Sequence, residues 1–548
     1  MTTPAIDSRG FSLALIFVLL FAVVFLLHIP LLRLPYFWDE AGYYVPAARD
    51  LLSGSLIPHS TPSNAHPPLV MAYLALWWKV AGFSPLVTRT AMLGISAFSL
   101  TGIFRLARRV ANLEVAIAAT ICTLLYPVFF AQSSLVHVDL AAAGLTFWGL
   151  SEFVVQRRGA AALWFSLAAL AKETAILAPL ALFGWELVLP LLRSWLEQRL
   201  PAEQSLRVEQ RRNAAPGATS AQRAPASAVW KTAVLLIPLI PLGLWYDYHY
   251  SRTGFVFGNP EFFRYNVQAT AQPLRIVLTF LMRLWQVLVY FSLYLLTLAA
   301  LLAMWLPALS DDGRERLRIS IGTQFCFLAV IAVYVVAMAV VGGAVLARYM
   351  LPVVPLVILI SVSTLRRRAR SWKWIVAIVA LAFAAGLFVN PPYGFSIEDN
   401  LAYRDYIVMH RRAEQFLQTT YPRARVLTAW PASEELTQPF LGYVSRPMRV
   451  LRLEDFTGEQ LLSAVDLRSG FDVALVFSLK YEPPHPIFER WHAWRDWKTR
   501  FFGYHQDLPP AAAAQILGGR LVYRDSRGGQ WIGVIVMDRI EQARAQTP

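Results

Sequence analysis

Stretches of about 18 or more mostly apolar residues recur along this chain, more than the core of a water-soluble protein can absorb. They fall at 11–32, 86–104, 113–131, 140–155, 160–171 with 174–192, 232–246, 286–307, 319–341, 350–364 and 373–390. A segment inside a bilayer must satisfy its own backbone polar groups, so such stretches are helices. With 56% of its 548 residues hydrophobic and 18 of them Trp, the chain reads as a polytopic α-helical membrane protein of about eleven spans.

The pattern changes after Pro391 to mixed charge, Pro/Gly turns and short β-like runs such as Val473–Phe477 and Trp531–Val536. Residues 1–390 therefore read as a membrane domain, and 391–548 as a soluble α/β domain. The first apolar run has no small-x-small cleavage site ahead of Pro35-Tyr36-Phe37-Trp38 and reads as an uncleaved anchor. Both cysteines, Cys122 and Cys326, lie in apolar stretches, which excludes a disulfide framework or a thiolate metal site.

A net charge of +15 would suit nucleic acid if it formed one patch, but the basic residues cluster between apolar stretches. Arg105, Arg108 and Arg109; Arg157 and Arg158; Arg193 to Lys231; Arg314 to Arg318; and Arg366 to Arg370 form a positive-inside pattern, with no nucleic-acid partner implied. Alternation then places Asp39, Asp139, 254–272, Arg348 and the C-terminal domain on the opposite, external face. Residues 196–229, rich in Ala, Gln, Arg, Pro and Ser, read as a cytoplasmic linker.

The external loop 33–85 holds seven prolines. Its helical patterns run from Ala41 to Ser53, with Gly54 as a stop, and from Pro67-Pro68 to about Val80. The segment 247–272 is aromatic and polar, a composition suited either to stacking on sugars or to anchoring at the interface.

Charges beside or within these stretches are the candidate chemistry, since an ionised group at a membrane needs a partner. Asp39-Glu40 is a catalytic pair or a helix start favoured by the dipole. His66 precedes Pro67-Pro68 as a ligand or as a solvated helix entry. Asp139 is a second acid or merely the N-cap of its span. Lys172-Glu173 interrupts an apolar segment as an ion pair or a break between short helices. Arg348-Tyr349 offers a guanidinium to phosphate oxygens or snorkels to headgroups.

In order, the external acid pair, the Pro-Pro helix start, the arginine-rich turn 105–109, Asp139 at a span start, the Lys172 break and Arg348-Tyr349-Met350-Leu351-Pro352 form a recognisable series. It resembles the GT-C membrane glycosyltransferases over roughly residues 10–390, in the branch of the protein O-mannosyltransferases and lipid A aminoarabinose transferases. The resemblance implies transfer of a monosaccharide from a polyprenyl-phosphate donor to an external lipid, glycan or protein at a bacterial inner membrane. It also implies Asp39 as general base, Asp139 as a second essential acid, and Arg348 and Lys172 on the donor phosphate, with Glu40 and Tyr349 in support. A phosphate is already a good leaving group, so such a site needs a base and cations more than a general acid.

The aminoarabinose transferases carry Glu-Lys before Pro-Pro-Leu, where this chain has Ala65-His66. His66 replaces a permanent cation with a titratable ring that could contact phosphate when protonated, ligate a metal when neutral, or do neither. Asp39, Glu40 and His66 are spaced compatibly with one divalent cation, without the specificity of a Cys/His zinc signature. The rival reading is a transporter or flippase of lipid-linked sugars, but transporters commonly show matched internal repeats and this chain shows none.

Overall fold

The computed structural model describes residues 12–199, 232–264, 270–483 and 491–537. Most of the expected linker 196–229, together with Tyr265 and Asn266 of the aromatic segment, lies outside them.

Three described helices are long and apolar enough to cross a membrane: Leu13–Leu31, Pro85–Val110 and Ile321–Val340. Pro273–Leu288 and Leu293–Ala303 are long and apolar enough only as a pair, bent by 78° at the break between them, the geometry of a broken span or of a re-entrant loop. Several other apolar stretches are broken into shorter helices. Residues 113–131 divide into Leu113–Leu125 and Pro127–Gln132, because Pro127 cannot continue the first helix. The segment around Lys172 divides into Arg158–Ala171 and Leu177–Arg199, with Lys172 in extended backbone between them. Leu69–Ala81 and Trp372–Gly386 are also short and apolar.

Apolar side chains face outward as well as inward. Trp374, Ile378 and Leu381 are 75%, 60% and 70% exposed and form one stripe on their helix, the surface a lipid environment covers. Inside, small residues let helices approach. Val138–Val154 packs against Pro85–Val110 and Arg158–Ala171. A Cβ on Gly144 would lie 2.1 Å from the Ser99 Oγ, and one on Gly149 would lie 2.6 Å from the Phe165 ring.

Helix Val138–Val154 also separates two electrostatic regions. Asp139 is at its start, and Glu152 near its end meets Arg105 at 2.5 Å and Arg109 at 3.4 Å. Thirteen residues at 1.5 Å each put these groups roughly 20 Å apart. The arginine-rich turns and the acidic candidates thus occupy opposite ends of the helical body.

The expected helices in loop 33–85 are present. A π-helical turn Glu40–Tyr44 leads into Val45–Leu52, Gly54 follows at φ +97°, and Leu69–Ala81 starts directly after Pro68.

Strands β1 (Ser310–Asp311) and β2 (Arg314–Glu315) form a small hairpin among the arginine turns. Beyond residue 391 the chain forms helix Ala402–Thr420 and a five-stranded mixed sheet. The sheet consists of β3 (Arg425–Ala429), β4 (Arg449–Leu453), β5 (Val473–Phe477), β6 (Gly519–Arg527) and β7 (Gln530–Met537), in the order β4-β3-β5-β7-β6. The first three are parallel and the last two antiparallel to their neighbours. All five residues of β5 are buried, which is why it reads as a continuous apolar run.

Candidate active site

Asp39 and Glu40 diverge from one turn of helix. Trp38 has φ +50° and Asp39 is the N-cap of the π-helical turn that Glu40 begins, and consecutive residues on a helix point roughly 100° apart. Asp39 turns toward Arg348, whose Nη2 donates to Asp39 Oδ2. Glu40 turns into the protein and is fully buried. Its carboxylate binds both terminal nitrogens of Arg89 and accepts from the backbone N–H of Phe37 at 2.8 Å and of Val136 at 2.6 Å. Arg89 also donates to the carbonyls of Ser134 and Pro35. Glu40 is therefore a brace that fixes the Asp39 turn to the segment before Asp139.

Asp139 is the second residue of its helix, where a carboxylate suits the dipole. The N-cap position itself belongs to His137. Lys172 Nζ donates to Asp139 Oδ1 at 2.5 Å, and Arg348 Nε stands 3.4 Å from Asp139 Oδ2. Lys172 reaches Asp139 because Arg158–Ala171 runs back along Val138–Val154 and ends where that helix begins. The Lys172-Glu173 dipeptide is a helix break whose two charges take separate partners, since Glu173 Oε2 binds His66 Nδ1 at 2.8 Å.

Arg348 lies on the short turn Ala347–Met350 and is only 2% exposed. Besides Asp39 and Asp139, its Nη1 donates to Glu398 Oε2 at 2.6 Å. Tyr349 beside it offers its ring to Lys172, with Nζ 3.9 Å from the ring centre. The loop before Arg348 is tied down by helix Pro273–Leu288. Arg283 donates to Leu346 O at 2.8 Å and Met338 O at 3.2 Å, and Gln286 donates to Val345 O at 2.8 Å.

The structure thus brings Asp39, Asp139, Lys172, Arg348 and Tyr349 into one network. His66 belongs to a neighbouring layer, its ring stacked 6.0 Å from that of Tyr44, which also meets His137 edge-on at 5.9 Å. Asp39, Glu40 and His66 do not form a ligand set among the described residues. Both Glu40 oxygens are engaged by Arg89 and backbone, and the His66 Nδ1 faces Glu173. The aromatic segment packs on the loop leading to His66, where His249 Nε2 meets Ser63 Oγ at 2.7 Å and Trp245 donates to Ala65 O.

Glu398 is a site residue with no motif to announce it, from a part of the chain that reads as catalytically silent. Burial raises its carboxyl well above the ordinary range, with Asp39, Asp399 and Asp139 adding to the rise and Arg348 opposing it. Asp399 is likewise raised by burial, to about 7, while Tyr290 donates to its Oδ2 at 2.6 Å. Arg89 and Arg283 also escape motif reading. The signal that finds them is an arginine within an apolar helix, which must be paired.

In chemical terms, two cations and three carboxylates converge at one end of a lipid-facing helical body, and Asp39 is the accessible acid, its side chain 20% exposed. Such an array has the chemistry to bind and polarise a phosphate and to accept a proton beside it.

Residues 65–206 match the family model described as dolichyl-phosphate-mannose-protein mannosyltransferase. Over that segment, which holds Asp139 and Lys172, the chain is similar to the GT-C branch that its motif order resembles. No curated protein sequence matches the chain. Among solved structures, ArnT from Cupriavidus metallidurans bound to undecaprenyl phosphate aligns at a TM-score of 0.49 with 13% identity, over 95% of this chain and 97% of that one. The Archaeoglobus fulgidus oligosaccharyltransferase in complex with Zn and sulfate aligns at 0.45 with 11% identity, over 85% of this chain and 68% of that one.

Proposed function

We propose that the chain is a GT-C glycosyltransferase that moves a monosaccharide from a polyprenyl-phosphate donor to a lipid, glycan or protein acceptor. The reaction takes place on the periplasmic face of a bacterial inner membrane. The observation that carries this reading is the convergence of Asp39, Asp139, Lys172 and Arg348, supplied by four separate segments, opposite the arginine-rich turns.

Asp39 takes the proton of the acceptor hydroxyl as its oxygen attacks the anomeric carbon. The bond from that carbon to the phosphate oxygen breaks, and Arg348 and Lys172 hold the charge left on the lipid phosphate. One in-line displacement inverts the anomeric centre. Asp139 holds both cations at the correct spacing. The ion pair between Asp39 and Arg348 adds an order to these events. A carboxylate with a guanidinium on its lone pairs is a poor base, so donor phosphate must first draw Arg348 away. His66 flanks this position from its pair with Glu173.

The test uses purified protein, a radiolabelled polyprenyl-phosphate sugar and a membrane-derived acceptor pool. Labelled product is expected from the wild type and none from Asp39→Asn of equal thermal stability. Arg348→Ala is expected to weaken donor binding. Full transfer by Asp39→Asn would remove it as base. Movement of intact lipid-linked sugar across a vesicle membrane without transfer would replace this reading with a flippase.

A further inference from the structure

A second cluster of ionisable groups lies in the C-terminal segment, apart from the network around Arg348. His410 and Glu414 are four residues apart on helix Ala402–Thr420 and share one of its faces. Glu435 comes from the short helix Ala432–Thr437. All three are buried, with exposures of 1%, 0% and 0%. His410 Nδ1 is 2.7 Å from Glu435 Oε2 and 3.7 Å from Glu414 Oε1, and one ligand atom from each residue lies within 4.8 Å of the other two.

The three groups do not fully satisfy one another. Among the described residues, Nε2 of His410 is buried with no hydrogen-bond partner, and the buried oxygens Oε1 and Oε2 of Glu414 and Oε1 of Glu435 have none outside the carboxyl pair itself. Two tyrosine hydroxyls that border the cluster, Tyr406 and Tyr443, are also buried and without a partner. The Tyr406 ring stacks on His410 with centroids 3.8 Å apart. No arginine or lysine pairs with Glu414 or Glu435 among the described residues; Arg452 on the neighbouring strand pairs with Glu434 instead. Two carboxyl groups held this close in a buried pocket cost free energy unless a proton or a cation lies between them. One dication would neutralise both and use the free lone pairs.

We infer that His410, Glu414 and Glu435 bind a divalent transition cation of the zinc class, with one imidazole nitrogen and two carboxylate oxygens as ligands. Bonds of about 2.0–2.2 Å to nitrogen and oxygen, in tetrahedral arrangement, place ligand atoms roughly 3.4 Å apart. The 2.7 and 3.7 Å separations bracket that spacing. The absence of thiolate from the set favours zinc, cobalt or manganese over cuprous ion.

The site would also brace the proposed catalytic turn. Tyr406 bridges His410 and Trp38, its ring 5.9 Å from that of Trp38. Glu435 follows Trp430 by five residues, and Trp430 packs edge-on against Trp38 at 4.9 Å. Trp430 also closes over Gly42, where a Cβ would come within 2.9 Å of its indole nitrogen. A cation linking helix Ala402–Thr420 to Ala432–Thr437 therefore fixes the two aromatic rings that hold Trp38, the residue before Asp39. The metal acts through packing and touches no reacting atom.

The experiment uses the full-length chain in detergent, stripped with chelator and titrated with zinc chloride or cobalt chloride. One equivalent of retained zinc per chain is expected, together with a higher unfolding temperature and, with cobalt, visible absorption of a four-coordinate ion. Glu414→Gln and Glu435→Gln should each lose that equivalent and the thermal shift, whereas Asp39→Asn should retain both. A wild type that retains no zinc and gains no stability from it overturns the inference without recourse to any variant. So does zinc retained equally by both glutamine variants, or lost only when Asp39 is changed. These readouts are independent of sugar transfer, so the metal site and the proposed activity stand or fall separately.

Discussion

Removing the Glu40 carboxylate should unfold the turn that carries Asp39 without touching the proposed chemistry. Glu40→Ala deletes a buried partner of Arg89 and two acceptors for the backbone N–H groups of Phe37 and Val136. Leaving a buried charge unpaired costs about 3–5 kcal/mol, and each orphaned buried N–H adds about 1–3 kcal/mol. A loss on the order of 5 kcal/mol is a large part of the stability of an ordinary domain. Glu40→Ala should therefore lower the unfolding midpoint strongly, as measured in detergent by tryptophan fluorescence or by exposure of the buried Cys122 thiol. The double variant Glu40→Gln with Arg89→Met removes both charges and keeps most of the volume. It should recover part of the loss and retain transfer, since neither residue meets substrate on this account. A Glu40→Ala protein that melts like the wild type but cannot transfer sugar would refute the assignment and return Glu40 to the catalytic set.

Two further outcomes follow from single contacts. Asp399 has its carboxyl raised by burial from 3.8 to about 7, so it stays protonated in the folded chain while the unfolded chain releases its proton. Stability from this group is full below about pH 4 and is lost as pH rises toward 7, amounting to roughly 4 kcal/mol at 1.36 kcal/mol per unit. Asp399→Asn should melt higher than the wild type at pH 8 and equal it near pH 4 in thermal scans across that range. Gly144→Ala places a methyl 2.1 Å from the Ser99 Oγ and 3.0 Å from its Cα, an overpacking worth about 1–3 kcal/mol. Ser99→Gly in the same chain should recover most of the lost thermal stability.

The short helices of segment 33–85 and their ends were legible because Gly54 and Pro67-Pro68 act locally. Asp39, Asp139, Lys172 and Arg348 were legible because an ionised group at a span end demands an explanation. Their partners were not. Asp39 meets Arg348 across 309 residues and Glu40 meets Arg89 across 49, and no local pattern encodes such pairings. Glu398 was hidden for the same reason, in a segment whose composition looks like that of any soluble domain. The breaks at Pro127 and Lys172 were harder to place, since hydropathy averages over a window and passes through a change of helix direction.

On the proposed reading, the charge balance of the network explains how a base and a phosphate site share the same few ångströms. Arg348 and Lys172 face Asp39, Asp139 and Glu398. Burial holds Glu398 protonated near neutral pH, so the two cations meet two carboxylates and the free site is close to neutral. An arriving phosphate adds negative charge and takes Arg348 from Asp39. With Arg348 drawn onto the phosphate, the Asp39 oxygen it held is free to accept from the acceptor hydroxyl. On the proposed reading, donor binding therefore creates the base when an acceptor hydroxyl can use it, and leaves Asp39 masked while the donor is absent. Neutral Glu398 is required for this, because a third fixed carboxylate would compete with phosphate for Arg348.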